Sequence, residues 1–362
     1  MMRAGWLHHV TPEGCKAHAL VFLSHGQLAS TSLREPVAHI TAADVHITSD
    51  DVIVMFHDPS LERTTNGSGL IRDQPYHGNI ENIRTTKTPV QKIPTFHELC
   101  DFLMRPECMH VKVNIDIKPD NDPDRLFCLM REIVNRYSDC ETALSPRIIL
   151  GLWHPKFLHA ALKHVPLLRR IHIGGSPSLA RQYFWKHCDG FSMWFAGLVG
   201  AEGQAFLREA QGAGKDVYVW TVNRPDEMIE ATRWGVKAVL TDKTEIFRDL
   251  RVAMAKDFAA TRKDQVGLFF RWASWRYWML PQFVIQTMWV ANLEKRAGES
   301  FKAADDRALR EAAAKVVTAA AAPHEDTSGA TTVIGSPDAL KPSPTDNAAV
   351  PPITASLASP AA

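Results

Sequence analysis

The sequence predicts an α/β fold, a (β/α)8 barrel of the TIM type, and three observations carry that expectation. Short β-branched runs alternate with longer helical patterns through the centre of the chain. The strand runs are apolar throughout rather than alternating, as in a parallel sheet covered on both faces. No GxGxxG turn follows the first of them, which favours a closed barrel over an open doubly wound sheet.

Strands are expected at 44–48, 52–56, 111–117, 147–153, 169–174, 190–195, 216–222 and 237–241. Only Ser49, Asp50 and Asp51 separate the first two runs, so these form one hairpin at the barrel rim. Helices are expected at 95–104, 122–136, 155–164, 178–187, 201–212, 225–234 and 243–256. Asp122-Pro123, His154-Pro155 and Arg224-Pro225 place proline in the first turn of three of them, where its missing N–H costs nothing. Gly214 and Gly235 stand where two helices should stop. The remaining β/α unit must come from residues 19–42, with ALVFLSH (19–25) as its strand and a weak helical pattern after it. An irregular or incomplete first unit is therefore expected.

The 362 residues divide into an atypical N-terminal segment (1–42), the barrel (43–257), an aromatic and basic helical segment (258–300), and a charged helix end with a disordered tail (301–362). The tail expectation rests on Ala, Pro, Ser and Thr dominating from about residue 318 onward. With 41 basic and 40 acidic residues there is no general positive field, which argues against nucleic acid as a partner. Six scattered cysteines without a CxxC pair read as free thiols in a reducing compartment. Neither a signal peptide nor a run of roughly 20 apolar residues is readable, so a cytoplasmic protein is expected.

Reactive groups of a parallel barrel gather at the C-terminal ends of its strands. There the chain offers Asp44, then His57-Asp58 after the hairpin, then Asn114, Asp116 and Lys118 on one face of a strand, and Trp220 near the end of another. Two carboxylates, a histidine and a lysine suit phosphodiester cleavage. Asp44 and Asp116 offer hard oxygen ligands to a divalent cation, which would lower the pKa of an attacking oxygen. His57 can pass a proton to the leaving alcohol, and Lys118 can stabilise charge on the phosphate oxygens.

The segment ADVHITSDDVIVMFHDPSLERTTNGSGLI resembles the signature of the glycerophosphodiester phosphodiesterase family, and VNIDIK, KDVYVWTVN and AVLTDKTEIF resemble its later strands. The likeness is to fungal members, including the phosphatidylglycerol phospholipase C group. It implies a (β/α)8 barrel, a divalent cation (magnesium or calcium), and cleavage of a glycerophosphodiester or glycerophospholipid. It also implies roles: Asp44 and Asp116 as metal ligands, His57 as the catalytic histidine, Lys118 as the active-site lysine and Trp220 as a wall of the substrate pocket. Two departures stand out. The family's first acid falls on Ala42, and its His-Arg-Gly opening is missing, with His25 as the stand-in for that histidine. A catalytically impaired barrel with a binding role is the alternative these departures raise.

Between Arg262 and Trp289, the basic residues Arg262, Lys263, Arg271 and Arg276 alternate with aromatic ones. Leu268, Trp272, Trp275 and Met279 follow helical spacing and are expected on one face. Two readings stay open: a helix packed over the barrel, or an interfacial helix giving peripheral contact with an anionic intracellular membrane. Pro281, Gln282 and Gln286 argue against a spanning segment. A chain ending near Ala259 is expected to keep its barrel folded.

Overall fold

In the computed structural model, residues 19–22, 39–267, 270 and 274–320 are described; for 19–22, 39–42 and 315–320 this means the backbone alone. Residues up to Lys315 belong to one compact unit, and beyond it only the end of the last helix, residues 316–320, is described. His25, Leu268, Phe269, Arg271, Trp272 and Cys15 lie outside the described residues.

The apolar runs form one sheet. Its strands are β1 (Ala19–Phe22), β2 (His39–Ile47), β3 (Ile53–Met55), β4 (Lys112–Ile117), β5 (Ile148–Leu152), β6 (Arg169–Gly174), β7 (Gly190–Trp194), β8 (Asp216–Trp220) and β9 (Ala238–Thr241). From β2 the order runs through β4, β5, β6, β7, β8 and β9, all parallel. β1 pairs with both β9 and β2 and closes the eight-stranded barrel, while β3 folds back on β2 outside the ring. The expected irregularity of the first unit takes a definite form: β1 runs antiparallel to both neighbours. Its start, Ala19, is level with Thr241 at the mouth, and its end, Phe22, is level with Ala238 at the far side.

Helices alternate with the strands as the sequence predicts: α1 (Phe96–Leu103), α2 (Pro123–Val134), α3 (Pro155–His164), α4 (Ala201–Gly212), α5 (Pro225–Arg233) and α6 (Thr244–Lys256). Thr95 and Glu98 form a reciprocal capping box on α1, and proline opens α2, α3 and α5. Gly214 and Gly235 take positive φ just past α4 and α5, as stop signals do. The helix expected over 178–187 is instead an α turn (Pro177–Leu179) running into a π turn (Ala180–Phe184). The wider turn lets consecutive rings both reach the sheet, with Phe184 stacked on His172 and Trp185 on Phe191.

Outward-facing Val113, Ile115, Ile117, Leu150 and Leu152 pack under the helices in the main core. Inside the ring Ile149, Ile171, Tyr218, Ala238 and Leu240 fill the barrel. Gly151 fits closely there: a Cβ would stand 2.5 Å from Ile173 Cδ1, and the tip of that side chain would have to move. A separate small core of Val54, Phe56, Leu61, Ile71, Ile80 and Ile93 supports the long loop after β3.

After α6 the chain forms α7 (Phe258–Gln265), a 3-10 turn (Trp275–Tyr277), α8 (Met279–Ala297) and α9 (Phe301–Ala320). The expected aromatic face through Trp275 and Met279 does not form, because the 3-10 turn ends at Tyr277 and α8 starts afresh at Met279. Nor do Arg262 and Arg276 join a basic face. Arg262 bonds the buried Glu230, and Arg276 bonds the buried Glu227, which also accepts from Tyr277 Oη at 2.5 Å. Among the described residues, these two carboxylates of α5 are thus bonded by the C-terminal segment and by Arg233. Among the described residues, no helix is long and apolar enough to cross a membrane.

Candidate active site

The parallel register sets the site. β2 and β4 pair Ala42 with Asn114 and Asp44 with Asp116, so both aspartates reach the mouth at the same height. Asn121 holds this register closed. Its amide donates to the carbonyls of Val45 (2.9 Å) and Lys118 (3.2 Å), and its oxygen accepts from Ile47 N (3.3 Å).

Lys118 bridges the two acids, with Nζ 2.5 Å from Asp44 Oδ1 and 3.1 Å from Asp116 Oδ2. All three side chains are largely buried. Burial works against the Lys118 ammonium, but Asp116 and Asp44 outweigh it and hold its pKa above the usual lysine range. Burial raises Asp44, and Asp116 adds to this, while the pull of Lys118 in the other direction is insufficient. The excess of carboxylate over ammonium contributes to both shifts, adding to burial at Asp44 and opposing it at Lys118.

Trp153, one residue past β5, donates its indole N–H to Asp116 Oδ1 at 2.7 Å. This fixes the carboxylate from the side opposite Lys118. Trp220 donates to Ser192 O at 2.9 Å, and its ring meets Trp153 edge-on with centroids 5.6 Å apart.

His57 stands on the same side of the mouth, where the β2–β3 hairpin brings it. Phe56 N donates to Asp44 O at 2.9 Å, tying the start of the loop to β2. His46, two residues beyond Asp44 on the same strand, approaches His57 O at 3.4 Å through Nε2. Its ring is buried, which pushes its pKa down to about 4 and keeps it neutral as a donor. The His57 ring is about one-third exposed, with Nδ1 2.7 Å from Asp58 Oδ1. Arg63 in turn grips Asp58 with two nitrogens. Partial burial of Asp58 works toward a higher pKa, yet the bonds from Arg63 and His57 hold it below the usual carboxylate range. Asp58 therefore orients the imidazole through Nδ1 and leaves Nε2 for another partner.

The mouth thus gathers Asp44, Asp116, Lys118, His57 and Trp220 as the sequence suggests. His25 lies outside the described residues. Sequence reasoning missed Trp153, Asn121, His46 and the Asp58–Arg63 pair. Trp153 carried a readable signal, since it directly follows a barrel strand; the others depend on long-range partners.

Do these residues fit a resident divalent cation? Magnesium and calcium need several oxygen ligands at about 2.0–2.6 Å. Ala42 offers none, and the two carboxylates present are already engaged by the Lys118 ammonium, which occupies the space between them. Among the described residues, no cluster of three or more His, Cys, Asp or Glu side chains is arranged to hold a metal. As arranged, the donor set suits an ammonium and does not fit a resident divalent ion.

The family profile described as "Glycerophosphoryl diester phosphodiesterase family" matches residues 42–246. The chain is 25% identical to the human lysophospholipase D GDPD1, over 57% of this chain and 74% of that protein. It is 21% identical to the glycerophosphodiester phosphodiesterase of Caldanaerobacter subterraneus subsp. tengcongensis, over 57% of this chain and 83% of that one. Among solved structures, a glycerophosphodiester phosphodiesterase from Parabacteroides distasonis aligns with a TM-score of 0.49 at 19% identity, covering 59% of this chain and 84% of the other.

Proposed function

Since the chain belongs to the glycerophosphoryl diester phosphodiesterase family, we propose that it hydrolyses a phosphodiester joining a glycerol or acylglycerol unit to a second alcohol. The observation that carries this reading is the shared mouth: an ammonium fixed by two carboxylates, with an oriented imidazole beside them. Glycerophosphodiesters and lysophospholipids are the substrate classes in the names of the relatives, and the proposal for this chain takes the same range.

Lys118 spends two of its three N–H groups on Asp44 and Asp116, and the third is left for a phosphate oxygen. Water adds to phosphorus as the bond to the leaving alcohol breaks, and a proton from His57 Nε2 reaches the departing oxygen. Asp58 keeps the imidazole aimed during this transfer and stabilises its charged form. The proton lost by the attacking water goes to Asp44, whose pKa burial raises above the usual carboxylate range. The products are a phosphomonoester and an alcohol. Trp220 and Trp153 give the organic part of the substrate an apolar wall.

A second reading has its own support. Ala42 and the net negative cluster weaken the mouth as a site for a phosphate, as expected of a barrel kept for binding. Hydrolysis of glycerophosphocholine and lysophosphatidylcholine by the purified chain, with magnesium, calcium or EDTA, separates the two. Turnover that survives EDTA supports Lys118 as the cation at the phosphate. Turnover that requires metal returns Asp44 and Asp116 to the role of ligands, and no turnover under any condition leaves the binding reading.

A further inference from the structure

Helix α8 has two unlike faces. One lies across the C-terminal ends of the strands. Gln282 donates to Ala196 O at 2.6 Å, just past β7, and Trp289 packs against Trp194 and Trp220 with centroids 5.3 Å away in each case. Trp289 also needs Gly175, whose Cβ would stand 2.9 Å from the indole. Near the C-terminal end of the helix, Arg296 pairs with Asp120, two residues beyond Lys118, and Ala297 O accepts from Lys156 at 3.1 Å. The helix therefore borders the mouth that holds the catalytic cluster.

The opposite face is apolar and open. Met279, Leu280, Phe283 and Met288 are 87%, 73%, 69% and 68% exposed, and Val284 beside them is 47% exposed. Leu280, Val284 and Met288 follow steps of four along one side of the helix, with Phe283 one step of three from Leu280 and Met279 at the helix start. Exposed apolar residues elsewhere, such as Val90, Met109 and Leu167, stand on separate elements. Trp275 and Trp278, both exposed, border the patch at its N-terminal end, as amphipathic rings do at a lipid–water boundary. From Met279 to Leu293 the sequence carries no charge, and that stretch spans roughly 22 Å of helix. This is too short to cross a hydrocarbon core of about 30 Å but long enough to lie along its surface.

We propose that the outer face of α8 is the surface by which the protein rests on a lipid interface, with the barrel mouth at the edge of the contact. A lipid surface is favoured over another protein by the continuity of the patch with a mouth built for lipid-derived diesters, by the tryptophans at its border and by its lack of any charged residue. That choice of partner rests on the proposed activity, but the surface itself does not. Apolar insertion rather than charge is the driving contact, because Arg262, Arg276 and Arg296 are already paired with Glu230, Glu227 and Asp120.

Flotation of the full chain tests this, using phosphatidylcholine vesicles and vesicles doped with phosphatidylglycerol, at low and high salt. The wild type should float with both and remain bound in high salt. The exposed double substitution Leu280→Asp, Phe283→Asp should lower the bound fraction at least about tenfold, since each change places a charge where a hydrocarbon contact stood. Hydrolysis of water-soluble glycerophosphocholine should be unchanged in that variant. Equal flotation of variant and wild type overturns the proposal. So does binding abolished by salt, or a wild type that fails to float, including one that sediments as a dimer, whose α8 face would then be a copy-to-copy contact. An inactive protein that floats and loses binding on substitution leaves the docking surface standing while the proposed activity fails.

Discussion

The two rims of the barrel mouth are built from different chemistry. On the β2–β4 side, Asp44, Asp116, Lys118 and His57 form a polar rim held by the Asn121 staple and the Asp58–Arg63 pair. On the β5–β8 side, Trp153, Trp194 and Trp220 form an apolar rim, completed by Trp289 from α8. One bond crosses the divide, from the Trp153 indole to Asp116. Under the proposed hydrolysis the difference is a division of labour: charge and proton transfer would fall to the first rim, and binding of the organic group to the second. Removing parts of each rim should therefore alter different kinetic constants.

The largest effect is expected on the polar rim. His57→Ala should lower kcat by about 10² to 10⁴, the usual size of a general acid–base contribution, with little change in thermal stability because the ring is partly exposed. Kinetics on glycerophosphocholine with parallel melting curves checks this, and a wild-type kcat would take His57 out of the mechanism.

Stability should be most sensitive where buried groups depend on distant partners. A chain ending at Ala259 removes Arg262, Arg276 and Tyr277, and so strips partners from Glu227 and Glu230, which are 4% and 3% exposed. Removing one partner of a buried pair costs about 3–5 kcal/mol. The truncated barrel should thus be strongly destabilised, contrary to the expectation from sequence that it stays folded. Urea unfolding of both lengths measures it, and equal midpoints would show that these pairs are not needed.

Acid should act through His172, buried against Phe184, with Nδ1 3.0 Å from Leu152 O. Burial lowers its pKa to about 3 from the usual 6.5. Above pH 6.5 neither the folded nor the unfolded state protonates it, so its contribution is constant. Between 6.5 and about 3 the unfolded chain takes up a proton that the folded chain refuses, and stability falls as pH falls. The full loss is on the order of 4 kcal/mol. The unfolding free energy of the wild type should fall relative to that of His172→Phe as pH drops through this range, and parallel curves would contradict it.

The smallest effect sharpens the comparison at its weakest point. Ala42→Glu adds a third carboxylate in a rim where Lys118 already faces two. It should give magnesium or calcium binding that the natural chain lacks or holds only near the millimolar end of oxygen-ligand sites. Calorimetric titration of both proteins decides, and tight binding by the natural chain would show that the present donor set holds an ion after all.

Much of this was legible in the sequence because it is local. The β-branched runs, the Pro-initiated helices and the glycines at 214 and 235 each state their conformation within a few residues. Asp116 and Lys118 share a face by simple alternation, and a parallel register puts Asp44 beside them. What escaped was settled by distant pairing. Nothing in ALVF says that the strand runs antiparallel to β9 and β2, since an apolar run reads the same in either direction. The arginines between 262 and 276 looked like a basic face, and only the fold shows that two of them answer glutamates on α5. Trp289 reads as one more aromatic residue until α8 is placed across the mouth.

Those two glutamates also bear on how the chain is made. Glu230 meets Arg262 across 32 residues, and Glu227 meets Arg276 across 49. During synthesis α5 leaves the ribosome well before either arginine does. Burying the helix earlier would leave Glu227 without its arginine and Glu230 with Arg233 alone, so the sheet's last helices should settle only after residue 277 has emerged.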